Sequence, residues 1–242
     1  MKAYLAVEMG REKKICEDMA LFNEEMIRNR STCLETLDLR CVAVADGVGG
    51  NAGGAVASEY VLRRLAQKDF TKLTGEELRQ FALEVNRDLL AQAGTQDKMA
   101  TTLTCVVATD EGFYCVHSGN CRLYMGQGAY LKQLTVDQTT CQWLRSCGRF
   151  LEAALCNPSE IYCCFGGGDS EYAQHLVVEK LFPDGLPEVL LLTSDGVHEY
   201  VDVDFLESAL AQGDDSLALG QILEEAAKNG STDDKTVIII RR

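Results

Sequence analysis

The sequence predicts an α+β fold in which antiparallel sheets are covered by helices. Short runs of alternating apolar and polar residues recur along the chain and predict strands. The turns between neighbouring runs, DEG, SGN and GQG, are short and contain glycine, which favours antiparallel hairpins over the long crossovers of a parallel sheet. The predicted helices form two blocks and do not alternate with the strands, as is typical of α+β proteins.

The predicted elements follow one another along the chain. Strands are predicted at 3–9, 40–46, 100–109, 112–118, 121–126, 129–135, 161–166, 173–181, 188–195 and 235–242. Helices are predicted at 52–70, 74–93, 203–212 and 216–230. Thr74 and Glu77 have capping-box spacing at the start of the second helix, and Gly230 is placed to end the last one.

The composition indicates one domain over residues 1–242 and excludes several classes of partner. Hydrophobic residues make up 46% of the chain, and with three prolines no stretch is typical of a linker. The formal net charge of −14 predicts no nucleic-acid partner, because a phosphate backbone would be repelled. No apolar run is long enough for a signal peptide or a membrane span, so we expect a cytoplasmic protein without a membrane partner.

The cysteines are expected to be reduced. The chain has eleven of them, an odd number, and no CxxC pair. Most lie in apolar strands, where a thiol behaves as a small hydrophobic side chain.

Carboxylates stand at the ends of three predicted strands. Asp46 comes after CVAVA, Asp195 after VLLLTS, and Asp233 or Asp234 just before KTVIIIRR. If these strand ends converge, mutual repulsion requires cations among the acids, and hard divalent ions prefer oxygen ligands. For any single Asp-Gly pair, a plain turn is the simpler explanation.

A fourth acidic element lies near the start of the chain. Glu17 and Asp18 follow Lys13 and Lys14 and begin an apolar stretch. Cations beside acids favour a site that binds phosphate and metals together, and a solvated charged turn is the alternative.

These segments occur in a specific order. The chain presents a basic residue, ED, ADGVGG, MATTL, SGNCRLY, LTVDQ, LLLTSDGVHEYV and STDDKTVIII, from about Lys13 to Ile240. This ordered set resembles the metal-dependent serine/threonine protein phosphatases of the type 2C (PPM) family in their short bacterial form. The resemblance implies a four-layer α-β-β-α sandwich, with two antiparallel sheets face to face, and a centre that holds two Mn²⁺ or Mg²⁺ ions.

The resemblance also implies a role for each acidic residue, with Asp46, Asp195 and Asp233 acting in catalysis through the metals and a metal-activated water. In chain order, Glu17 and Asp18 hold metal-bound waters, Asp46 bridges both metals, Gly47 offers its carbonyl to one, and Asp195 and Asp233 bind the other.

Three positions depart from the family pattern. Lys13 replaces the arginine that grips the substrate phosphate and lacks its two-pronged contact, so we expect weaker substrate binding. Asn120 stands where the family's aspartate contributes to a third metal site, and a neutral amide is a poorer ligand, so the sequence argues against a third ion. Asp234 replaces the usual asparagine, with an effect that the sequence does not define.

Residues 139–168 fall where the family has its mobile flap, and we predict a flap subdomain there. This segment contains Trp143 and Phe150. The two aromatic side chains either form an apolar edge that faces the substrate or pack onto the body of the protein.

The leading hypothesis is a cytoplasmic Mn²⁺/Mg²⁺-dependent phosphatase that hydrolyses phosphoserine and phosphothreonine monoesters. Its partners would be phosphorylated proteins, and it would oppose a bacterial Hanks-type serine/threonine kinase. One alternative is a pseudophosphatase that acts as a binding or regulatory module, with Asn120 and Asp234 as marks of drift. Retention of Asp18, Asp46 and the later acids argues against it. A second alternative is a phosphatase for a small phosphorylated metabolite.

Overall fold

The strands pair in antiparallel fashion in the computed structural model, which describes residues 1–48, 52–93, 99–183 and 185–242. Among these residues the strands are β1 Lys2–Glu8, β2 Met19–Phe22, β3 Glu25–Ile27, β4 Arg30–Glu35, β5 Cys41–Ala45, β6 Gly47–Val48, β7 Ala100–Thr101, β8 Leu103–Thr109, β9 Gly112–Ser118, β10 Arg122–Gln127, β11 Tyr130–Gln133, β12 Phe165–Gly166, β13 Val177–Leu181, β14 Val189–Thr193 and β15 Lys235–Arg241. The first large sheet has the order β11-β10-β14-β15-β1-β4, and the second has the order β13-β9-β8-β5-β2-β3. A small third sheet has the order β12-β7-β6.

The helices lie outside the two large sheets. They are α1 Ala52–Ala66, α2 Gly75–Ala93, α3 Thr140–Ser146, α4 Phe150–Ala153, α5 Asp195–His198, α6 Val203–Leu210 and α7 Asp215–Lys228. Helices α1 and α2 pack on the outer face of the second sheet, and α6 and α7 pack on the outer face of the first. The predicted four-layer α-β-β-α sandwich is therefore confirmed.

Strand periodicity explains how the layers share one sequence. In β15, Ile238 and Ile240 point into the core between the two sheets, whereas Val237 and Ile239 point toward α6 and α7. This is the alternation of side chains along a strand. Because both faces of such a strand are covered, β5 is buried at every position and is apolar throughout.

The helix signals in the sequence are confirmed in detail. The backbone N–H of Thr74 donates to Glu77 Oε2 at 2.9 Å and the N–H of Glu77 donates back to Thr74 Oγ1 at 3.3 Å, so the capping box forms. Gly230 follows α7 with a φ of +96°, the left-handed conformation that favours glycine after a helix.

The sequence failed to predict the strands β2, β3 and β4 and the two-residue strand β6. The first three have 4, 3 and 6 residues, and charged side chains stand at the start of β3 and at both ends of β4, so no alternating apolar run marks them. Two other predicted strands were too long. The run at 161–166 forms an isolated bridge from Ile161 to Thr139 and a strand only at β12, and the run at 173–181 forms a strand only at β13, after a 3₁₀ helix at Ser170–His175.

Two of the three predicted hairpin turns are confirmed and the third is wrong. DEG joins β8 to β9 and GQG joins β10 to β11 within one sheet each. SGN instead carries the chain from β9 in the second sheet to β10 in the first. Its Gly119 has a φ of +107°, and a Cβ there would lie 2.5 Å from the side chain of Thr102. This tight crossing brings Asn120 to the end of the sandwich.

The structure also corrects the expectation that all cysteines are reduced, because it pairs Cys141 with Cys156 as a disulfide. The sulfurs lie within residues 139–168, where Cys141 is on α3 and Cys156 follows α4. No helix in the described ranges has the length and apolar character needed to cross a bilayer.

Replacing Leu21 by alanine is expected to lower the free energy of unfolding by about 2–5 kcal/mol, because the side chain is fully buried between the second sheet and its helices. The matched control is Leu37→Ala, where the side chain is 95% exposed and the expected change is within about 0.5 kcal/mol. Urea denaturation measures both values. Equal changes in the free energy of unfolding in the two variants would contradict the packing of α1 and α2 on the second sheet.

Candidate metal centre

The acids predicted from the sequence meet at one end of the sandwich, where strands of both large sheets begin or end. Asp46 follows β5 of the second sheet, whereas Asp195 lies just after β14 and Asp233 just before β15 of the first. The charges of Asp18, Asp195 and Asp233 all act on Asp46. The structure therefore brings together side chains that are far apart along the chain.

Asp46 and Gly47 are held by main-chain and hydroxyl contacts. The N–H of Asp46 donates to Thr102 Oγ1 at 3.0 Å, and its carbonyl accepts from Thr102 N at 2.8 Å and from Thr101 Oγ1 at 2.9 Å. A Cβ on Gly47 would lie 2.5 Å from the backbone of Gly54 and 2.8 Å from Glu17 O. Only glycine allows this approach of β6 to helix α1 and to the Glu17 segment. The glycines at 49 and 50, part of the same run, lie outside the described residues.

Glu17 and Asp18 are almost fully buried, with 2% and 1% of their surface exposed. The N–H of Glu17 donates to Asp234 Oδ2 at 2.7 Å, and the Glu17 carbonyl accepts from Ser58 Oγ at 2.6 Å. Thr236 Oγ1 donates to Asp18 Oδ2 at 2.7 Å. The other carboxylate oxygen of Asp18, Oδ1, is buried without a hydrogen-bond partner among the described residues. This pair is a built part of the site, which contradicts the alternative of a solvated turn.

Asn120 lies beside Asp195. Its Nδ2 donates to Asp195 Oδ2 at 3.0 Å, and its side chain is buried. An amide that donates to a carboxylate orients that carboxylate without adding a negative charge.

Lys13 reaches into the acidic cluster. Its ammonium pairs with Asp233 and lies 3.3 Å from Asp234 Oδ2 and 3.5 Å from Glu17 Oε2. Burial alone would lower the pKa of Lys13, but the hydrogen bond and charge of Asp233, aided by Asp234 and Asp46, raise it above its usual value. The lysine stays charged and is 22% exposed, at the edge of the cluster. Its neighbour Lys14, the other basic residue of the motif, is exposed.

The carboxylates raise one another's pKa values. Desolvation raises the pKa of Asp46 well above its usual range, and the charges of Asp18, Asp195 and Asp233 raise it further. The pKa of Asp18 is raised to about 7, first by burial and then by the charge of Asp234. Burial and the charge of Asp233 also raise the pKa of Asp195. The negative charge of the cluster is therefore only partly offset by the ammonium of Lys13.

The residues present fit hard divalent cations by their chemistry. Within the described ranges, no three or more His, Cys, Asp or Glu side chains are already arranged around a single metal position. The donors are nevertheless oxygens, and the buried Asp18 Oδ1 has no partner among the described residues. Lys13 provides one ammonium for six neighbouring carboxylates, Glu17, Asp18, Asp46, Asp195, Asp233 and Asp234. Further positive charge is what this cluster requires.

The segment 139–168 lies next to this end of the molecule. Ser159 Oγ is 3.4 Å from Glu199 Oε1, and the charge of Asp195 acts on Glu199. Burial first and then Asp195 raise the pKa of Glu199 to about 7. Trp143 and Phe150 are 50% and 69% exposed, so half of the first side chain and most of the second face solvent.

Sequence reasoning missed the hydroxyl groups that hold the acids in place. Thr101 and Thr102 hold Asp46, Ser58 holds the Glu17 carbonyl, and Thr236 holds Asp18. The threonines stand in segments that the resemblance uses, MATTL and STDDKT, but a hydroxyl next to a strand is too common for its role to be assigned from the sequence. No sequence feature indicated the role of Ser58, because it is an ordinary position within helix α1.

Comparison with known proteins places this chain among phosphatases. The family described as protein phosphatase 2C matches residues 29–148. The serine/threonine phosphatase stp of Listeria monocytogenes serovar 1/2a is 30% identical over 213 residues, covering 83% of this chain and 84% of the relative. The serine/threonine protein phosphatase PstP of Mycobacterium tuberculosis strain CDC 1551 is 29% identical over 207 residues, covering 83% of this chain and 40% of PstP. The aligned part of this chain thus spans less than half the length of PstP.

Solved structures agree with the fold. The crystal structure of Mycobacterium tuberculosis PstP has a TM-score of 0.76 at 25% identity and covers 99% of this chain and 98% of that one. The catalytic domain of PstP in complex with two manganese ions has a TM-score of 0.70 at 24% identity, with coverage of 99% and 98%. The protein belongs to the protein phosphatase 2C family of phosphatases.

The metal-free protein is expected to lose stability as pH rises through the range in which the cluster ionises. A carboxyl group whose pKa is higher in the folded than in the unfolded state binds its proton more tightly when folded. Its favourable contribution is present below the unfolded pKa of about 4 and is lost as pH rises through the folded pKa, about 7 for Asp18. Asp46→Asn removes one negative charge from this cluster, so the variant should lose less stability than the wild type between about pH 4 and pH 8.

Urea denaturation in a chelating buffer measures this pH dependence. The stability of the wild type relative to Asp46→Asn should fall as pH rises, because burial and the acidic neighbours raise the pKa of the Asp46 carboxyl in the folded protein. Glu224→Gln is the matched control, because Glu224 is exposed on α7. Parallel curves for wild type and Asp46→Asn would contradict the mutual repulsion.

Proposed function

We propose that the protein is a metal-dependent protein phosphatase that hydrolyses phosphoserine and phosphothreonine monoesters. The observation that carries this proposal is the convergence of Asp18, Asp46, Asp195 and Asp233 at one end of the sandwich, where burial first and then neighbouring carboxylates raise the pKa values of Asp18, Asp46 and Asp195. Such a cluster has a chemical use once cations are bound, because it then attracts the phosphate that it repels when bare. Family membership and the names of the relatives stp and PstP support the same activity.

The proposed cofactors are two Mn²⁺ or Mg²⁺ ions. Asp46, Asp195, Asp233 and the Gly47 carbonyl would be their ligands, and Glu17 and Asp18 would accept hydrogen bonds from water in the centre. When bound, the two cations supply the positive charge that lowers the pKa of an attacking water and neutralises the phosphoryl oxygens. The PstP catalytic domain in complex with two manganese ions supports the number. Asn120 donates its amide hydrogen to Asp195, which gives no support for a third ion.

Lys13 is the proposed binding residue for the substrate phosphate. Its ammonium lies at the edge of the cluster, charged and partly exposed, while its backbone is fixed by a hydrogen bond from its N–H to Gly10 O at 3.1 Å. A cation in this place meets a phosphate that approaches the acidic end and holds its oxygens in position.

A protein substrate is favoured over a small metabolite by the segment 139–168. Four of its large apolar side chains, Trp143, Phe150, Leu151 and Leu155, are exposed, and the same segment contacts Glu199 near the site through Ser159. The opposing kinase and the cytoplasmic location stay predictions from the sequence. The pseudophosphatase alternative has less support, because Asn120 and Asp234, its proposed marks of drift, both make ordered contacts with the site.

We expect hydrolysis of p-nitrophenyl phosphate that requires Mn²⁺ and is lost in Asp195→Asn. Replacing a residue that merely orients a metal ligand costs roughly 10- to 100-fold, so loss of a ligand should lower kcat/KM by more than about 100-fold. Steady-state rates with and without chelator measure this. The exposed residue Glu224 supplies the control Glu224→Gln, which should keep wild-type rates.

The same assay separates the alternatives. A wild-type protein without metal-dependent turnover at any manganese concentration up to the millimolar range would be a pseudophosphatase. A kcat/KM for small phosphomonoesters above that for a phosphothreonine peptide would favour a metabolite phosphatase.

Lys13→Ala is expected to raise KM by about tenfold with a smaller loss of kcat, if Lys13 binds the phosphate equally well in the ground state and the transition state. Lys14→Ala is the matched control, because Lys14 is the exposed neighbour of Lys13. Initial-rate kinetics on a phosphothreonine peptide give both constants. A KM increase in Lys14→Ala instead would transfer the role to Lys14, and a loss confined to kcat would mean that Lys13 acts on the transition state.

A further inference from the structure

The carboxylate of Asp234 is fully buried and lies behind the metal centre. Its Oδ1 accepts a hydrogen bond from the backbone N–H of Gly10 at 2.8 Å, and its Oδ2 accepts one from the N–H of Glu17 at 2.7 Å. The two donors stand at the two ends of residues 10–17. One side chain therefore clamps both ends of this loop to the start of β15.

The clamped loop carries residues of the proposed site. Lys13 lies in its middle, Glu17 at its end, and Asp18 directly after it. The loop also touches the β15 side through its backbone, since a Cβ on Gly10 would lie 2.2 Å from Thr232 O and 2.7 Å from Asp233 C. The position of Lys13 and of the acidic pair thus depends on the contact between this loop and residues 232–234.

The two hydrogen bonds require a carboxylate. An asparagine has one side-chain oxygen, so it could accept from Gly10 or from Glu17, and its NH₂ group would face the remaining N–H donor. A buried N–H without an acceptor is costly. Asp234 is therefore suited to this loop in a way that an amide is not.

Asp234 also faces Lys13. The ammonium of Lys13 lies 3.3 Å from Asp234 Oδ2, the same oxygen that accepts from Glu17 N. These are two of the positions at which the sequence departs from the family pattern, and the structure places them in contact. The carboxylate thus restrains the backbone of the loop and the charged end of its lysine together.

We propose that Asp234 is a positioning residue of this site. It acts through the loop of residues 10–17 and through Lys13, so the effects of replacing Asp234 and Lys13 on kcat/KM are not independent. The expected effect of Asp234 on hydrolysis rests on the proposed function, whereas its expected effect on the position of the loop does not. The contacts of the buried Asp234 side chain are with Gly10, Glu17 and Lys13. It sets where Lys13 and the Glu17–Asp18 pair stand.

Hydrogen exchange of the metal-free protein tests the clamp without any activity. In Asp234→Asn the amides of residues 10–18 should exchange at least about tenfold faster than in the wild type, while the rest of the described chain stays unchanged. Asp214→Asn is the matched control: Asp214 also accepts from two backbone N–H groups, but both bonds go to one oxygen, Oδ1, which asparagine retains. Its exchange pattern should equal that of the wild type. Unchanged exchange at 10–18, or faster exchange spread evenly over the chain, would overturn the clamp.

Gly10→Ala disturbs the same contact from the side of the loop. It is the second variant to test if Asp234→Asn fails to fold. The added methyl group meets the backbone at 232 and 233, so the loop must move away from β15. Faster exchange confined to residues 10–18 is again expected, and unchanged exchange there would count against the clamp.

A double-mutant cycle with a phosphothreonine peptide tests the coupling. Asp234→Asn and Lys13→Ala should each lower kcat/KM by about tenfold, mainly through KM, and the double variant should lose little more than either single one. Asp214→Asn should leave the kinetics unchanged. Losses that multiply to about a hundredfold would show that the two residues act independently. If the wild type has no phosphatase activity, the proposed function fails, and the exchange experiment still decides the role of Asp234.

Discussion

Repulsion between carboxylates is the constraint on which the rest of this structure depends. Burial first, and then the charges of their acidic neighbours, raise the pKa values of Asp18 and Asp46 above the usual range. An arrangement of this kind persists only where the scaffold holds each acid by other contacts and a cation offsets the charge. Lys13 supplies part of that charge, and the buried oxygen of Asp18 that has no partner among the described residues shows that the cluster has capacity for more.

The fold meets this constraint by placing the acids at strand ends and not within strands. Two sheets packed face to face leave the chain free to turn where their strands stop, and there the core no longer excludes polar groups. Close backbone approaches at Gly10, Gly47 and Gly196 draw the segments together, since at each of them a Cβ would meet neighbouring backbone atoms. Uncharged hydroxyl groups such as Thr102 and Thr236 then orient the acids without adding to the charge. The packing of the four layers thus offsets the free-energy cost of holding these acids close together.

Much of the fold could be predicted from the sequence, because long periodic runs and turn residues are local signals. Helix α2 with its capping box and apolar strands such as β15 are examples. The strands β2 to β4 could not be predicted, since their pairing partners and not their own pattern hold them in the sheet. The candidate acids could be chosen from their positions at strand ends and from the ordered resemblance. The crossing at SGN and the clamp by Asp234 depend on contacts between distant segments, which no local pattern encodes. The pairing of Cys141 with Cys156 depends on how the turns between these two residues fold, which their spacing does not specify.

Titration calorimetry of Mn²⁺ into the metal-free protein tests the central claim most directly. Binding must displace the protons that the raised pKa values retain on the cluster. We therefore predict two Mn²⁺ ions per chain and a net release of protons at about pH 6.5, measured from the dependence of the heat on the ionisation enthalpy of the buffer. No saturable binding, or saturable binding without proton release, would contradict the account of a carboxylate cluster that is completed by cations.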